Sequence, residues 1–186
     1  MNAENIFEYN SLNYKEFLKK FRDIDSSEHM LIVLAGAFTT NRKAALDELK
    51  REVIGDAVEI DLAELVTPHE EESYKNIEKV LSEIDAEAPL VVIRNPEQLS
   101  GAYTGFTSSI VKYATPQEKF FLKKITEINA PVVLEFKDVD QLDRTITRTA
   151  DAVVIFREPS SLIEKLAWKV QNVHVHGSSF LSPRPH

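Results

Sequence analysis

The sequence predicts an α/β domain with a parallel sheet covered by helices on both faces. Three observations predict it. Five short apolar runs, at residues 30–35, 57–62, 89–93, 131–136 and 152–156, recur along the chain. Most are apolar almost throughout, as strands buried on both faces of a parallel sheet are. Segments with apolar residues at helical spacing separate them, and strands that alternate with helices pair in parallel through right-handed crossovers.

The elements follow in order. Residues 1–13 carry Ile6, Phe7, Tyr9 and Leu12 among polar neighbours and read as an arm. Residues 14–24 place Phe17, Leu18, Phe21 and Ile24 on one face, a helix that covers the sheet. Met30–Ala35 is the first strand, ended by Gly36, and a polar loop is expected over 37–41. Ala44, Ala45, Leu46, Leu49 and Val53 then recur on one side of a helix that stops at Gly55. Residues 57–62 (AVEIDL) form the second strand, 63–72 a loop with Pro68 and His69, and 73–84 a helix with Ile77, Val80, Leu81 and Ile84. Residues 89–93 (PLVVI) are the third strand, followed by a loop over 100–109 with Gly101 and Gly105. Residues 110–128 read as helical with a break near Thr115-Pro116, where Thr115 is an N-cap. Strands at 131–136 and 152–156 flank a short helix at 141–149. Ser160-Ser161 caps a last helix at 162–170, with Trp168 most simply in its core face.

The stretch from 30 to 46, strand then loop then helix, is where a phosphate-binding loop would sit. The motif G-x-x-x-x-G-K-[ST] supplies a backbone nest, a lysine for the β/γ-phosphates and a hydroxyl for Mg²⁺. Here the first Gly is Gly36, but Asn41 replaces the second Gly, Arg42 the Lys and Lys43 the Ser/Thr. The frame is kept and the chemistry is not. Asn41 tolerates the left-handed backbone region, so the loop is expected to keep part of its shape.

Composition narrows the function classes. The 186 residues suffice for one domain with a sizeable core. A net charge of −8 argues against a nonspecific duplex-DNA binder, which shows a basic face. There is no cysteine, hence no disulfide and no Cys-based metal site or nucleophile. No apolar run approaches the roughly twenty residues of a membrane span, so no membrane is expected and a cytoplasmic location follows by default. The acidic, polar start is not a signal peptide.

Several stretches together resemble the nucleotide-binding core of AAA+ ATPases, over roughly residues 30–160. Gly36 to Lys43 takes the Walker A position. Leu90-Val91-Val92-Ile93 followed by Arg94-Asn95 takes the Walker B position, normally four apolar residues and then Asp-Glu. Residues 58–65 and 72–80 resemble the second strand, the start of the pore-loop region and the helix after it. Residues 132–137, then Gln141-Leu142-Asp143 and Arg148, resemble the sensor 1 strand and the arginine-finger segment, and residues 152–159 the last strand. The resemblance implies a three-layer P-loop-NTPase-like domain. Its five-stranded sheet would have the order 5-1-4-3-2, built from strands near 153, 31, 132, 90 and 58. It implies an arm and helix at 1–29, a core at 30–172 without the lid subdomain, and a flexible tail at 173–186. Arg94 at the Walker B position would repel Mg²⁺, Asn95 has no basic group to activate water, and Lys137 stands in the sensor 1 position. No catalytic residue, no cofactor and no metal are therefore expected, ATP included, and the resemblance implies a pseudo-ATPase that holds or regulates a protein partner or joins an AAA+ assembly. A divergent ATP-binding member of the family, or a small-ligand binder using the strand ends, are the alternatives.

Each singled-out residue also has a plainer reading. Arg42 and Lys43 bind an anion at a helix N-terminus, or form a solvated first turn. Arg94 meets an anion at the carboxyl end of its strand, or pairs with a carboxylate. Phe38 turns into the old pocket and fills it, or turns outward as an aromatic anchor. Arg148 acts in trans on a neighbour, or is a surface arginine. Glu70-Glu71-Glu72 attracts a metal, or is an acidic helix start. His174 and His176 ligate a metal, or belong to the tail.

Overall fold

The computed structural model describes residues 5–24, 28–85, 87–99, 115–142 and 144–157. The elements run β1 (Ile6–Glu8), α1 (Leu12–Arg22), β2 (Met30–Ala35), α2 (Thr39–Glu52), β3 (Val58–Asp61), α3 (Glu70–Ser82), β4 (Val91–Arg94), α4 (Pro116–Ile125), β5 (Pro131–Phe136), α5 (Arg144–Thr149) and β6 (Ala152–Ile155). One-turn 3₁₀ helices lie at Leu62–Glu64, Pro96–Leu99 and Val139–Gln141. The chain divides after Phe156, and all of these elements belong to Met1–Phe156. The expected loop at 100–109, helix at 162–170 and tail at 173–186, with Asp143, Trp168, His174 and His176, lie outside the described residues.

The sheet is all-parallel, with the order β1-β6-β2-β5-β4-β3. It has six strands where five were expected, so the full order differs from 5-1-4-3-2. The difference is β1, in the stretch whose sequence reads as an arm. β1 pairs along β6, Ile6 opposite Val153 and Glu8 opposite Ile155, and forms the outer edge. Three residues are too few to show a strand pattern in the sequence. What holds this edge is polar as well as apolar: the Asn5 amide donates to Ala150 O at 2.8 Å, and the Tyr9 N–H to Ile155 O at 3.1 Å.

The central strands are mostly apolar because both faces of the sheet are covered. Leu31, Val33 and Ala35 of β2 face a core closed by Ile77 of α3, Phe121, Leu122 and Ile125 of α4 and Ile146 of α5. Ile32 and Leu34 face the other core, closed by Tyr14, Phe17 and Phe21 of α1 and Ala45, Leu46 and Leu49 of α2. Alternate residues thus serve opposite layers, as the pleat requires.

Local signals account for the helix ends. Ser11 caps α1 by accepting from the Tyr14 N–H at 3.1 Å. Thr115 caps α4 in a capping box with Glu118, with Pro116 in the first turn, as its sequence position predicts. Glu70, Glu71 and Glu72 form the first turn of α3, where the helix dipole favours acids.

α1 is tied to α2 by the exposed Arg22–Glu52 pair, with Nη2 to Oε1 at 2.8 Å, and by the Glu48 carboxylate. Glu48 accepts from the Tyr14 hydroxyl at 2.6 Å and from the Tyr9 hydroxyl at 3.2 Å. Burial, reinforced by the Glu48 charge and hydrogen bond, pushes both phenols well above their ordinary value of 10.0. A group whose folded pKa is raised contributes stability that is complete below the unfolded pKa and lost as pH rises beyond it. The melting temperature is therefore expected to fall as pH is raised through 10. Tyr14→Phe is expected to make that fall shallower, which a set of thermal melts across this range checks.

Candidate functional site

In a parallel sheet every strand's carboxyl end opens on one edge. β2 and β5 are neighbours, yet β2 leads into α2 on one face while β5 leads toward α5 on the other. A crevice opens between such strands, and in open α/β sheets it is the usual ligand site.

Here the protein's own side chain fills it. Gly36 follows β2 with φ +147°, and a Cβ on it would lie 2.4 Å from the Phe156 carbonyl oxygen. Only Gly36, Ala37 and Phe38 separate β2 from α2. This corrects the expected loop at 37–41: Thr39 already opens the helix, and three residues are too few for a phosphate nest. Asn41 lies in the helix and not in the left-handed region; the non-glycine residues with positive φ are Asn10 and Asn95 among those described. Phe38 is half-buried and packs against the α1–α2 core, so it neither fills a pocket nor stands out as an anchor.

Arg42, one turn into α2, is 5% exposed. Its Nη1 donates to Gly36 O at the end of β2 and approaches Lys137 O at the end of β5, at 3.5 Å. Its Nε donates to Glu135 Oε1 at 3.1 Å. The guanidinium therefore bridges the carboxyl ends of both strands that border the crevice. A charge so buried must be paired, and Glu135 of β5 supplies the partner.

Glu135 also faces Arg94 Nε at 3.8 Å, and Arg94 Nη2 meets Glu59 Oε2 at 2.7 Å. Lys50 in turn pairs with Glu59 at 2.5 Å. The result is a row of alternating charge, Lys50, Glu59, Arg94, Glu135 and Arg42, across the α2 face of β3, β4 and β5. The Lys50 hydrogen bond, with the Arg94 and Lys50 charges, holds the Glu59 carboxyl below its ordinary range. Beside the row, Asn95 takes φ 54° and donates from its amide to Asp61 Oδ1 at 2.6 Å. That bond, the Ala63 N–H and the nearby Lys137 and Arg94 charges hold the Asp61 carboxyl low. Lys137, 63% exposed, reaches Glu97 Oε1 at 3.5 Å.

What remains open is a cleft of about 170 Å³, lined by Arg42, Lys43, Arg94, Asn95, Glu135 and Lys137, with Leu46 beneath. Ligand pockets usually run from about 300 to 1,000 Å³. Five of the residues singled out in the sequence thus converge: Arg42, Lys43, Arg94, Asn95 and Lys137. Gly36 and Phe38 do not line the cleft: the Gly36 carbonyl accepts from Arg42, and Phe38 packs on the α1–α2 core. Arg148 does not join them: it is exposed in the last turn of α5, which leads to the amino end of β6 and so to the opposite edge. Glu135 went unnoticed in the sequence, although one charged residue inside the apolar run PVVLEF signals a buried charge that needs a partner. His69 and the three glutamates are exposed, and no group of three or more potential metal ligands occurs among the described residues. No helix among these residues is long and apolar enough to cross a membrane.

No family model and no curated protein matches the chain. Solved structures do. One is a chain of the HORMA:CdnC:Trip13 complex of E. coli MS115-1, at TM-score 0.55 and 14% identity, with 94% of this chain covered. The match takes in 64% of that chain's length. Likeness at this identity shows the fold alone. The AAA+ assignment is corrected accordingly: the comparisons give a neighbour in a HORMA-containing complex and no AAA+ family match. The pseudo-ATPase and P-loop readings fall with it, because the turn that would carry the phosphate loop is too short and Arg42 occupies its crevice.

Proposed function

We propose that the chain is a protein-interaction module that binds no nucleotide and docks an acidic segment of a partner at the carboxyl edge of its sheet. The observation that carries this reading is the Arg42 guanidinium, which occupies the crevice where a small ligand would enter. The chemistry left at the rim is cationic. Lys43 is exposed, Lys137 is 63% exposed and Arg94 is 45% exposed, around a cleft too small for a nucleotide. Carboxylates presented on an extended segment match that rim in charge and reach. The structural neighbour, drawn from a complex of three proteins, is in keeping with a protein partner. We take the compartment to be the cytoplasm, as the sequence reading expects.

The test is anisotropy of a labelled peptide of alternating glutamate and alanine. Lys43→Glu combined with Lys137→Glu is expected to weaken binding by about tenfold or more, which is about 1.4 kcal/mol. Arg148→Glu, at the other edge, is expected to leave it unchanged, and added salt to weaken it. Equal loss with Arg148→Glu would mean that general charge and not the cleft binds the peptide. Phe38→Ala is a poor probe, since removing this half-buried ring costs about 2 kcal/mol of packing wherever the partner docks.

A further inference from the structure

A second concave surface lies at the amino edge of the sheet, where α3 and α4 end before β4 and β5 begin. It is a groove of about 320 Å³. Leu81, Ile84 and Ile128 give it an apolar floor, each only partly buried. Glu78, Asp85 and Glu127 stand on its rim. The cation among its lining residues is Lys124, which bridges Glu78 at 3.0 Å and Glu127 at 3.6 Å. Those two carboxylates are 58% and 54% exposed, so each keeps acceptor capacity toward solvent. Asp85 accepts from the Glu87 N–H at 3.0 Å and has no cation beside it among the described residues. Both helices end here, and helix C-termini add negative potential. Three carboxylates and two helix ends against one ammonium leave the rim short of positive charge.

We propose that this groove docks a short basic–aliphatic segment of a partner protein. An arginine of the segment sits among Glu78, Asp85 and Glu127, and a neighbouring leucine or isoleucine covers the floor. Arginine suits the rim because its fork pairs carboxylates in a fixed geometry and its stem packs on apolar surface. The floor distinguishes such a segment from a free amine, which has nothing to lay on Leu81, Ile84 and Ile128. The site is independent of the carboxyl-edge cleft and opposite to it in charge, so each surface can be lost without the other.

The test is a ¹⁵N–¹H titration of the full chain with the peptide acetyl-Ala-Leu-Arg-Leu-Arg-Ala-amide. Saturable shifts are expected at the amides of Ser82, Asp85, Ile128 and Asn129. Glu78→Lys with Glu127→Lys, both at exposed positions, is expected to weaken binding by about tenfold. Asp85→Asn, which leaves both Lys124 pairs intact, is expected to weaken it by about threefold. Absence of shifts, or shifts undiminished in these variants, would overturn the proposal. So would equal displacement by spermine, which would show a cation site without use of the floor. Concentration-dependent broadening at the same amides without peptide would assign the groove to a second copy of this chain instead.

Discussion

Replacing Arg42 by alanine is expected to destabilise the domain by about 3 kcal/mol, because it leaves a half of a buried ion pair behind. Arg42 is 5% exposed and the Glu135 side chain 14%, so neither can turn to water without opening the edge. The Gly36 carbonyl loses its guanidinium donor, and Lys137 O the more distant one. Arg94 limits the damage, since at 3.8 Å it still offsets part of the Glu135 charge. For a chain of this size the melting temperature should fall by roughly 6–12 °C. Changing both partners, Arg42→Leu with Glu135→Leu, is expected to recover about half of the loss, because no buried charge is left but the carbonyls stay short of a donor. A double-mutant cycle on denaturant melts measures the coupling between the two.

Gly36→Ala is expected to cost on the order of 3 kcal/mol. Two effects add. At φ +147° an L side chain is strained whatever the space around it, and the new Cβ would lie 2.4 Å from the Phe156 carbonyl oxygen. That oxygen belongs to backbone just past β6 and has no rotamer to move. Gly55 provides the comparison: its φ is +119°, and its Cβ position meets a Pro89 side-chain carbon at 3.2 Å. There the contact is milder and meets a side-chain ring that can shift by a few tenths of an ångström, and Gly55→Ala should cost about 1 kcal/mol. The difference between the two melts measures what the backbone clash at Phe156 adds to the strain that both positions share. Gly36 is thus required by strand packing against β6, which is a different reason from the approach of a phosphate.

β2, β4, β5 and β6 were legible because each sends apolar residues to both cores, and β3 because Val58 and Ile60 alternate toward one of them. Met30–Ala35 and Pro131–Phe136 have the bounds the sequence predicts. β1 was not legible: Ile6 and Phe7 are two apolar residues, and their strand exists only because β6 presents an edge to them. The start of α2 was misplaced because Thr39, Thr40 and Asn41 are weak helix formers, read as loop by propensity. Burial of Arg42 against β5 overrides that preference. The convergence of Arg42, Lys43, Arg94, Asn95 and Lys137 followed from placing each at a strand's carboxyl end or a helix start. That Arg94 pairs with a carboxylate was among the readings of the sequence, but the identity of the partners was not, since Glu59 and Glu135 come from strands distant in sequence from the arginines they meet. A motif frame from which the diagnostic polar residues are missing fits more than one history, and this one fitted the AAA+ pattern through strand order and apolar spacing alone.

The claim that Arg42 closes the crevice is tested most directly by isothermal titration of the intact chain with ATP, with and without Mg²⁺. The expected result is no saturable heat in either case, because the guanidinium, the three-residue turn and a cleft of about 170 Å³ leave a triphosphate nowhere to sit. One nucleotide bound per chain, with affinity weakened by Lys43→Glu, would contradict it.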